Sequence, residues 1–152
     1  MIAVVQRVVE ANVTVGGTVV GQIGRGLAVL LSVHADDGPA DVAWTAAKLA
    51  GLRLFPELDQ HYHLDVRQAG GAMLLVSNFT VAAATRQGRR PSFTAAAKGE
   101  PGRTMFDALV TAVREAGVTV ETGEFGADMR VSLVNDGPAT FIVDSREARG
   151  GA

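Results

Sequence analysis

The stretch Leu27-Ala28-Val29-Leu30-Leu31-Ser32-Val33 decides the fold of this chain, because it is apolar without the polar alternation of a half-exposed strand. Such a run is typical of a strand that is covered on both faces. We therefore expect residues 27–33 to lie near the centre of a sheet.

The residues that precede this strand have the pattern of a β-hairpin. β-branched and polar residues alternate through Asn12-Val13-Thr14-Val15, and Gly16-Gly17 supplies a two-residue turn. Residues 2–34 are therefore predicted to be β structure that opens with a hairpin.

Two helices are predicted after the central strand. Asp37-Gly38-Pro39 is a typical helix start with a proline near the first helical position, and it predicts a helix over about 39–51. The second helix is expected to begin near Pro101 and to end before Gly117. The apolar positions at helical spacing are Val42, Ala46 and Leu49 in the first helix, and Met105, Phe106, Leu109, Val110 and Val113 in the second.

The remaining apolar segments predict strands, and a polar loop is expected after the first of them. These segments are Leu52 to Phe55, Ala72 to Val76, Val118 to Glu121, Met129 to Val134 and Ala139 to Val143. The order of strands and helices indicates one α/β domain, with a mixed sheet and both helices packed on one side. We expect this domain to span residues 1–144 and the tail from 145 to 152 to be disordered.

The composition bounds the class of protein. A chain of 152 residues that is 47% hydrophobic and lacks cysteine can bury one good core, and it offers neither a disulfide framework nor a thiolate site. No segment approaches the ~18 to 20 apolar residues of a membrane span, and the start does not resemble a secretory signal. We expect a cytoplasmic protein that does not associate with membranes.

Charge argues against a protein that wraps nucleic acid, since the net charge is −2 and the pI is about 5.9. The distribution is uneven, however, because residues 86–103 hold five basic residues and one acidic residue. This basic stretch can meet several phosphates or can be a solvated loop. Its basic residues are Arg86, Arg89, Arg90, Lys98 and Arg103.

Common catalytic and metal-binding motifs are absent from the sequence. It has no nucleophile elbow, no glycine-rich phosphate loop and no helical His-Glu-x-x-His. His61 and His63, with Asp65 next along the chain, form a conceivable metal site, but an edge strand or loop with solvated side chains explains them better. The candidate hydroxyl nucleophiles are Ser32, Ser77, Thr80 and Ser92, and each of them would need a nearby general base.

Two short polar segments are more informative. An apolar strand ends abruptly in Ser77-Asn78-Phe79-Thr80, and free N–H groups at a strand end can hold a developing oxyanion. The alternative is an ordinary strand end plugged by Phe79. Asn135-Asp136-Gly137-Pro138 has the composition of a hairpin turn, and its Gly-Pro bond is a candidate for the cis form.

Six motifs together resemble the D-aminoacyl-tRNA deacylase family over roughly residues 1 to 144. Each motif is weak alone, but their order and spacing match throughout. The motifs are Met1-Ile2-Ala3-Val4-Val5-Gln6-Arg7-Val8, Gln68-Ala69-Gly70-Gly71, Ser77-Asn78-Phe79-Thr80, Arg90-Pro91-Ser92-Phe93, Ala127-Asp128-Met129 and Asn135-Asp136-Gly137-Pro138-Ala139-Thr140.

The resemblance implies a homodimer with a three-layer α/β fold and an active site at the subunit interface, without a metal or cofactor. It implies that a cis Gly137-Pro138 bond reaches into the partner's pocket, where its carbonyls capture the substrate's α-amino group and leave no room for an L side chain. Glycine mischarged on tRNA(Ala) is then a second substrate. Asn78, Ala139 and Thr140 complete the predicted substrate-binding set.

For catalysis, the resemblance implies that Ser77, Phe79 and Thr80 surround the ester carbonyl of the substrate. The Phe79 and Thr80 N–H groups are then the donors that stabilise the oxyanion. Water is the expected nucleophile, activated with the help of the terminal ribose 2′-hydroxyl. Asn78 replaces the family's commoner glutamine, and Ala139 its commoner valine. Arg86, Arg89 and Arg90 are candidates for tRNA phosphate contacts. Two alternatives stay open: a non-catalytic module that binds the charged tRNA 3′ end, and a small-ester hydrolase with Thr80 as nucleophile.

Overall fold

The computed structural model describes residues 1–150. Within them, neither helix is long and apolar enough to cross a membrane. In chain order the elements are β1 (Ile2–Val15), β2 (Thr18–Ile23), β3 (Gly26–Ser32), α1 (Pro39–Gly51), β4 (Phe55–Glu57), β5 (Gln60–Leu64), β6 (Ala72–Ser77), α2 (Gly99–Glu115), β7 (Thr119–Thr122) and β8 (Arg130–Asp144), with short 3-10 helices at Phe79–Ala82 and Ser145–Arg149.

Both predicted helices and the opening hairpin are confirmed. α1 has Pro39 in its first turn, and its start is fixed by the Gly38 N–H, which donates to Asp41 Oδ2 at 2.9 Å. Gly16 and Gly17 both have positive φ, as the tight turn between β1 and β2 requires. α2 begins at Gly99, slightly before the predicted Pro101.

The main sheet is mixed, and β3 lies inside it as predicted. The strand order is β2-β1-β3-β6-β7, with β8 paired to the free side of β1. β3, β6 and β7 are parallel to one another, and the other pairings are antiparallel. Helices α1 and α2 lie in the chain between the parallel strands, which is the usual way to connect such strands.

Two apolar cores cover the two faces of the central strands. One core joins the helices to one face of β1, β3 and β6, and it includes Val5, Leu27 and Leu109. The second core lies on the opposite face, where Leu74 and Val76 meet side chains from β2, β8 and the far half of β1. The result is a layer of helices and two layers of strands, which confirms the expected α/β architecture with both helices on one side.

The two strand layers approach closely at Gly21 in β2. A Cβ atom at this position would lie 2.3 Å from the carbonyl oxygen of Thr122 in β7 and 3.2 Å from Leu74 Cδ1. Only a residue without a side chain allows β2 to pass this close to the opposite end of the sheet. The sheet therefore curls into a barrel-like form.

The prediction of a hairpin turn at residues 135–138 is wrong. β8 runs without reversal from Arg130 to Asp144 and pairs with β1 on both sides of the Gly-Pro sequence. Its pairing is irregular between Gln6 and Glu10 of β1, where extra residues of β8 are accommodated. The long partner strand overrides the local turn preference, because β1 supplies ladder partners before and after the irregularity.

The predicted disordered tail also differs from the structure. Residues Ser145–Arg149 form a 3-10 helix, and the Ser145 hydroxyl donates to Asp41 Oδ1 at 2.8 Å. Arg149 pairs with Asp36 at 3.1 Å and Asp37 at 3.2 Å, and it also contacts Asp41. These contacts hold the segment on the start of α1. Residues 151–152 lie outside the described residues.

The polar loop expected after the strand at 52–55 is instead a small hairpin. β4 and β5 pair antiparallel, with Phe55 opposite Leu64 and Glu57 opposite Gln60. Phe55 anchors the hairpin in the helix-side core, while most of its other residues are exposed. We refer to residues 55–64 as the β4–β5 hairpin.

Candidate active site

A cavity of about 510 Å³ lies at the carboxyl ends of the parallel strands β3 and β6. Polar side chains and main-chain groups gather at this edge of a sheet because neighbouring parallel strands end there together. The size is that of a small-molecule site. Its lining includes Ser32, Ser77, Asn78, Phe79, Lys98, Phe125 and Met129.

The predicted strand-end segment Ser77–Thr80, which we call the cavity segment, contributes directly to this cavity. Ser77 is the last residue of β6, and the Asn78 N–H donates to the Leu31 carbonyl at 2.8 Å. The chain then turns into the 3-10 helix Phe79–Ala82. The change from an apolar strand to a short helix places Ser77, Asn78 and Phe79 in the lining of the cavity.

Asn78 accepts hydrogen bonds from both polar groups of Thr80. Its Oδ1 accepts the Thr80 N–H at 3.3 Å and also accepts the Thr80 hydroxyl. An asparagine that caps the N–H two residues ahead is a common local arrangement. The Phe79 N–H makes no hydrogen bond to the rest of the described chain, so it is a main-chain donor that is free for a ligand.

Phe79 lies at the mouth of the cavity rather than in the core. Its side chain is 57% exposed and packs edge-on against Phe93, with ring centroids 5.2 Å apart. Its carbonyl is approached by the Ser32 hydroxyl at 3.4 Å. The interpretation of Phe79 as an ordinary core plug is therefore wrong.

No hydroxyl of the candidate nucleophiles is paired with a base within residues 1–150. Thr80 donates to an amide oxygen, Ser32 to a carbonyl, and Ser92 lies 3.3 Å from the Thr94 hydroxyl. A serine or threonine nucleophile needs an adjacent general base. This geometry favours chemistry carried by main-chain donors over covalent catalysis.

The second predicted segment, Gly137–Pro138, lies within β8 at its irregular pairing, and we call it the Gly-Pro segment. Its peptide bond is cis, and both residues are exposed, whereas Ala139 is buried. Arg7 Nε donates to the Asp136 carbonyl at 3.1 Å. Asn135 Nδ2 donates to the carbonyls of Arg7 and Ala139 at 2.9 and 3.2 Å.

The cavity segment and the Gly-Pro segment do not meet within one chain. In the strand register, Ser77 is the partner of Leu31, and Leu31 is the partner of Ala3. The Gly-Pro segment lies opposite Arg7 of β1. The two segments are separated by four residues along the strands, about 13 Å, and by three strand spacings across the sheet, about 14 Å. The two predicted segments therefore lie apart within a single chain.

Comparison with known proteins identifies the family. The model of the family described as D-Tyr-tRNA(Tyr) deacylase matches residues 4–144. A D-aminoacyl-tRNA deacylase of Methylococcus capsulatus is 50% identical over 143 residues, which cover 94% of each chain. That of Thermus aquaticus is 50% identical over 150 residues and 99% of each chain. The chain belongs to the D-Tyr-tRNA(Tyr) deacylase family.

Two solved structures share the fold of this chain. The c-Myc DNA Unwinding Element Binding Protein superimposes with a TM-score of 0.88 at 33% identity, over 95% of this chain and 98% of that one. A probable eukaryotic D-amino acid tRNA deacylase shares the fold with a TM-score of 0.78 at 17% identity, over 93% and 97% of the two chains. The resemblance inferred from six motifs is confirmed, and the chain is an enzyme of the hydrolase class.

The predicted phosphate-contacting arginines follow the cavity segment in the chain. Arg86, Arg89 and Arg90 are exposed in the loop between Phe79 and Phe93, whose rings are in contact. None of the three arginines forms an ion pair within the described part of the chain. Their charges are available to an anionic ligand.

The alternative of a metal site at the two histidines finds no support in the structure of this family member. His63 Nε2 lies 3.2 Å from Glu57, and Asp65 instead pairs with Arg67 at 2.8 Å. Arg67 hydrogen bonds lower the pKa of Asp65. Across residues 1–150 no three metal-ligating side chains are grouped as a site.

Sequence reasoning missed the contact of Tyr62 with the Gly-Pro segment and that of Arg7 with Asp136, the residue before it. Arg7 was part of a recognised motif, but its spacing of 129 residues from Asp136 concealed their contact. Tyr62 was treated as part of a polar loop, and it lies 76 residues before Pro138, to which it donates a hydrogen bond. Neither contact has a local sequence signal, because each joins two strands that are far apart in the chain.

Proposed function

We propose that the protein hydrolyses the ester that joins a D-amino acid to the 3′ end of tRNA, releasing the free D-amino acid and tRNA, and that it spares L-aminoacyl-tRNA. The observation that carries the proposal is the free Phe79 N–H at the mouth of a ligand-sized cavity in a member of a deacylase family. A charged tRNA as substrate fits a cytoplasmic enzyme.

The proposed chemistry uses water as nucleophile. Water attacks the ester carbonyl, the Phe79 N–H stabilises the oxyanion, and the ribose 3′-oxygen leaves with a proton as the ester bond breaks. The ribose 2′-hydroxyl of the substrate assists proton transfer, since the described residues offer no paired base at the candidate hydroxyls. Ser77 lines the cavity beside the ester, and Thr80 acts once Asn78 releases its N–H.

A second copy of the chain completes the site in this proposal. Between the two segments lies a sheet face that the helices leave uncovered, and we call it the open face. Ile142, which is 61% exposed, and Leu30 flank Val4 on it, and Gln6 donates to the Thr140 hydroxyl at 3.0 Å. The open face consists of Val4, Gln6, Leu30, Thr140 and Ile142.

A two-fold contact on the open face accounts for the separation of the two partial sites. In a two-fold interface the same patch is used by both subunits, so each end of the patch meets the opposite end of its partner. The Gly-Pro segment of one copy then reaches the cavity segment of the other. The interface buries exposed apolar side chains, including Ile142.

Chirality is judged by this cross-subunit arrangement. Carbonyls of Gly137 and Pro138 accept the substrate's α-ammonium group, and the adjacent main chain occupies the space that an L side chain needs. Ala139 and Thr140 continue the same strand, and Asn78 lies on the opposite wall. Glycine has no side chain to reject, so glycine mischarged on tRNA(Ala) is also removed. The exposed arginines Arg86, Arg89 and Arg90 contact phosphates near the 3′ end.

The direct test is to incubate the purified protein with matched D- and L-aminoacyl-tRNA and to measure release of the amino acid. We expect rapid release of the D form and little of the L form. Equal rates, or no cleavage of the D form, contradict the proposal. Binding of a non-hydrolysable analogue without any turnover of the ester supports a non-catalytic binding module instead.

The remaining alternative is a small-ester hydrolase with Thr80 as nucleophile. Its test is Thr80→Val, assayed on D-aminoacyl-tRNA and on simple esters, with Thr80→Ser as the control that keeps a hydroxyl. A covalent role predicts complete loss in the valine variant. The main-chain mechanism predicts a partial loss, because the Phe79 N–H remains in both variants.

A further inference from the structure

The β4–β5 hairpin is hydrogen-bonded to the Gly-Pro segment through Tyr62. The hydroxyl of Tyr62, on β5, donates to the Pro138 carbonyl oxygen at 3.1 Å. This hairpin carries no residue of the proposed catalytic set, and most of its side chains face solvent. The contact nevertheless falls on one of the carbonyls that the proposed function assigns to the substrate.

Tyr62 is held in place from two further directions. Its ring meets Phe141 of β8 edge-on, with centroids 5.8 Å apart and planes 87° apart. The Arg7 guanidinium lies 5.9 Å from the centre of the same ring. The hydroxyl is therefore presented by a fixed ring rather than by a freely rotating side chain.

Arg7 joins the same group of contacts to the base of the hairpin. Its Nη1 donates to the Leu54 carbonyl at 2.6 Å, and its Nε lies 3.0 Å from Asp136 Oδ2. The residue before β4 and the residue before the Gly-Pro segment are thus tied to one guanidinium. The hairpin and the Gly-Pro segment form one supported unit, with the Tyr62 hydroxyl at its outer end.

A carbonyl oxygen has two lone pairs, so a hydrogen bond from Tyr62 leaves one for a second donor. We propose that Tyr62 is a positioning residue that fixes the direction of the Pro138 carbonyl and thereby sets how well the enzyme captures a D-aminoacyl ammonium group and excludes the L form. This inference rests on the proposed function, because it assigns Tyr62 a role in that substrate recognition.

The test is Tyr62→Phe, which removes only the hydroxyl and keeps the ring contacts with Phe141 and Arg7. The matched control is Leu58→Ala in the same hairpin, since Leu58 is 98% exposed. We expect Tyr62→Phe to raise KM for D-aminoacyl-tRNA by about 2- to 10-fold, the value of one hydrogen bond, with kcat nearly unchanged. The rate ratio of D to L substrate should fall, and Leu58→Ala should match the wild type.

A second readout does not depend on activity. Only two prolines precede an alanine, Pro39 and Pro138, so labelling proline carbonyls with ¹³C and alanine amides with ¹⁵N yields two carbonyl–amide NMR peaks. Tyr62→Phe should shift the Pro138 carbonyl signal and leave the Pro39 signal, at the start of α1, in place. Tyr62 is the single tyrosine of the chain, so no other phenol can substitute.

The outcomes separate this inference from the proposed function. A wild type that prefers D substrate, together with an unchanged KM and D-to-L ratio in Tyr62→Phe, overturns the role of Tyr62 alone. An unshifted Pro138 signal overturns the contact itself. A fall in kcat with KM unchanged indicates loss of folded enzyme and contradicts a positioning role. A wild type without D preference overturns the proposed function and the selectivity role with it.

Discussion

The cavity segment and the Gly-Pro segment are built in different ways, although the proposed reaction needs both. In the cavity segment, Asn78 holds Thr80 through contacts only two residues apart in sequence. The Gly-Pro segment is contacted by Tyr62, which is 76 residues from Pro138, and the preceding residue Asp136 is contacted by Arg7, 129 residues away. One segment is a local motif at a strand end, and the other is shaped by distant parts of the chain.

This difference predicts which of the two segments should tolerate substitution. A local cap can be lost with little effect beyond its own turn, because the strand β6 that carries it is buried and independently paired. An exposed main-chain segment that must keep carbonyls in fixed directions depends on every contact that surrounds it. We therefore expect selectivity to be fragile at the Gly-Pro segment and the rate to be robust at Asn78.

The largest effect is expected for Gly137→Ala. A Cβ atom there would lie 2.3 Å from Asn135 Oδ1, so Asn135 must move and release the carbonyls of Arg7 and Ala139. Displacement of this kind can cost about 100-fold in catalytic efficiency, and we expect that loss in kcat/KM for D-aminoacyl-tRNA. Steady-state kinetics with D and L substrates provide the measurement.

The control for this substitution is Gly24→Ala, since a Cβ atom at Gly24 meets nothing within 4 Å. Its kinetics should match those of the wild type. If Gly137→Ala retains full efficiency and selectivity, the Gly-Pro segment is not a recognition element, and the contrast with the cavity segment disappears.

A smaller effect is expected for Asn78→Ala in the cavity segment. The variant frees the Thr80 N–H and hydroxyl, and loss of such a cap destabilises its turn by about 0.5–2 kcal/mol. We expect faster hydrogen exchange at the Thr80 amide and a change in kcat below about 10-fold, because the Phe79 N–H is retained. Asn78→Asp, which keeps the cap, is the matched control. A collapse of kcat in Asn78→Ala would mean that the Asn78 side chain itself acts in catalysis.

The smallest effect on activity is expected for Arg149→Met, because the hydrogen bonds of Arg149 within residues 1–150 go to Asp36, Asp37 and Asp41 and not to either segment. Arg149 lowers the pKa of Asp41, so Asp41 is ionised in the folded protein and favours the folded state above its unfolded pKa. That contribution fades as the pH falls through the lowered pKa. The variant should melt a few degrees lower near neutral pH, with the difference narrowing in acid.

An activity measurement should show that Arg149 affects neither the cavity segment nor the Gly-Pro segment. The D-to-L ratio of Arg149→Met should equal that of the wild type at temperatures where both are folded. The control for loss of a positive charge is Arg146→Met. Arg146 lies on the same 3-10 helix as Arg149, and it pairs with Asp144 at the end of β8. A pH-independent difference in melting temperature between Arg149→Met and the wild type would contradict the assignment to Asp41.

Most of the secondary structure could be predicted because its causes are local. Pro39 fixes the start of α1, Gly16 and Gly17 form the first turn, and the apolar run 27–33 requires a covered strand. The errors fall where local and distant preferences disagree. Residues 135–138 have the composition of a turn, but pairing with β1 keeps them in β8. Ser145–Arg149 has a polar, glycine-flanked sequence, but Arg149 ties it to three aspartates of other segments.

The sequence by itself determined the family, the two short segments of the candidate site and the absence of a motif for a side-chain nucleophile. These features depend on residue identity and short spacing. Only the tertiary structure decided that the Thr80 N–H is hydrogen-bonded to Asn78 and that the Phe79 N–H is free. It also decided that the Gly-Pro segment lies far from the cavity of its own chain. The physical reason is that β1 brings β3 and β8 to its two sides, and the strand register then sets distances that no local pattern encodes.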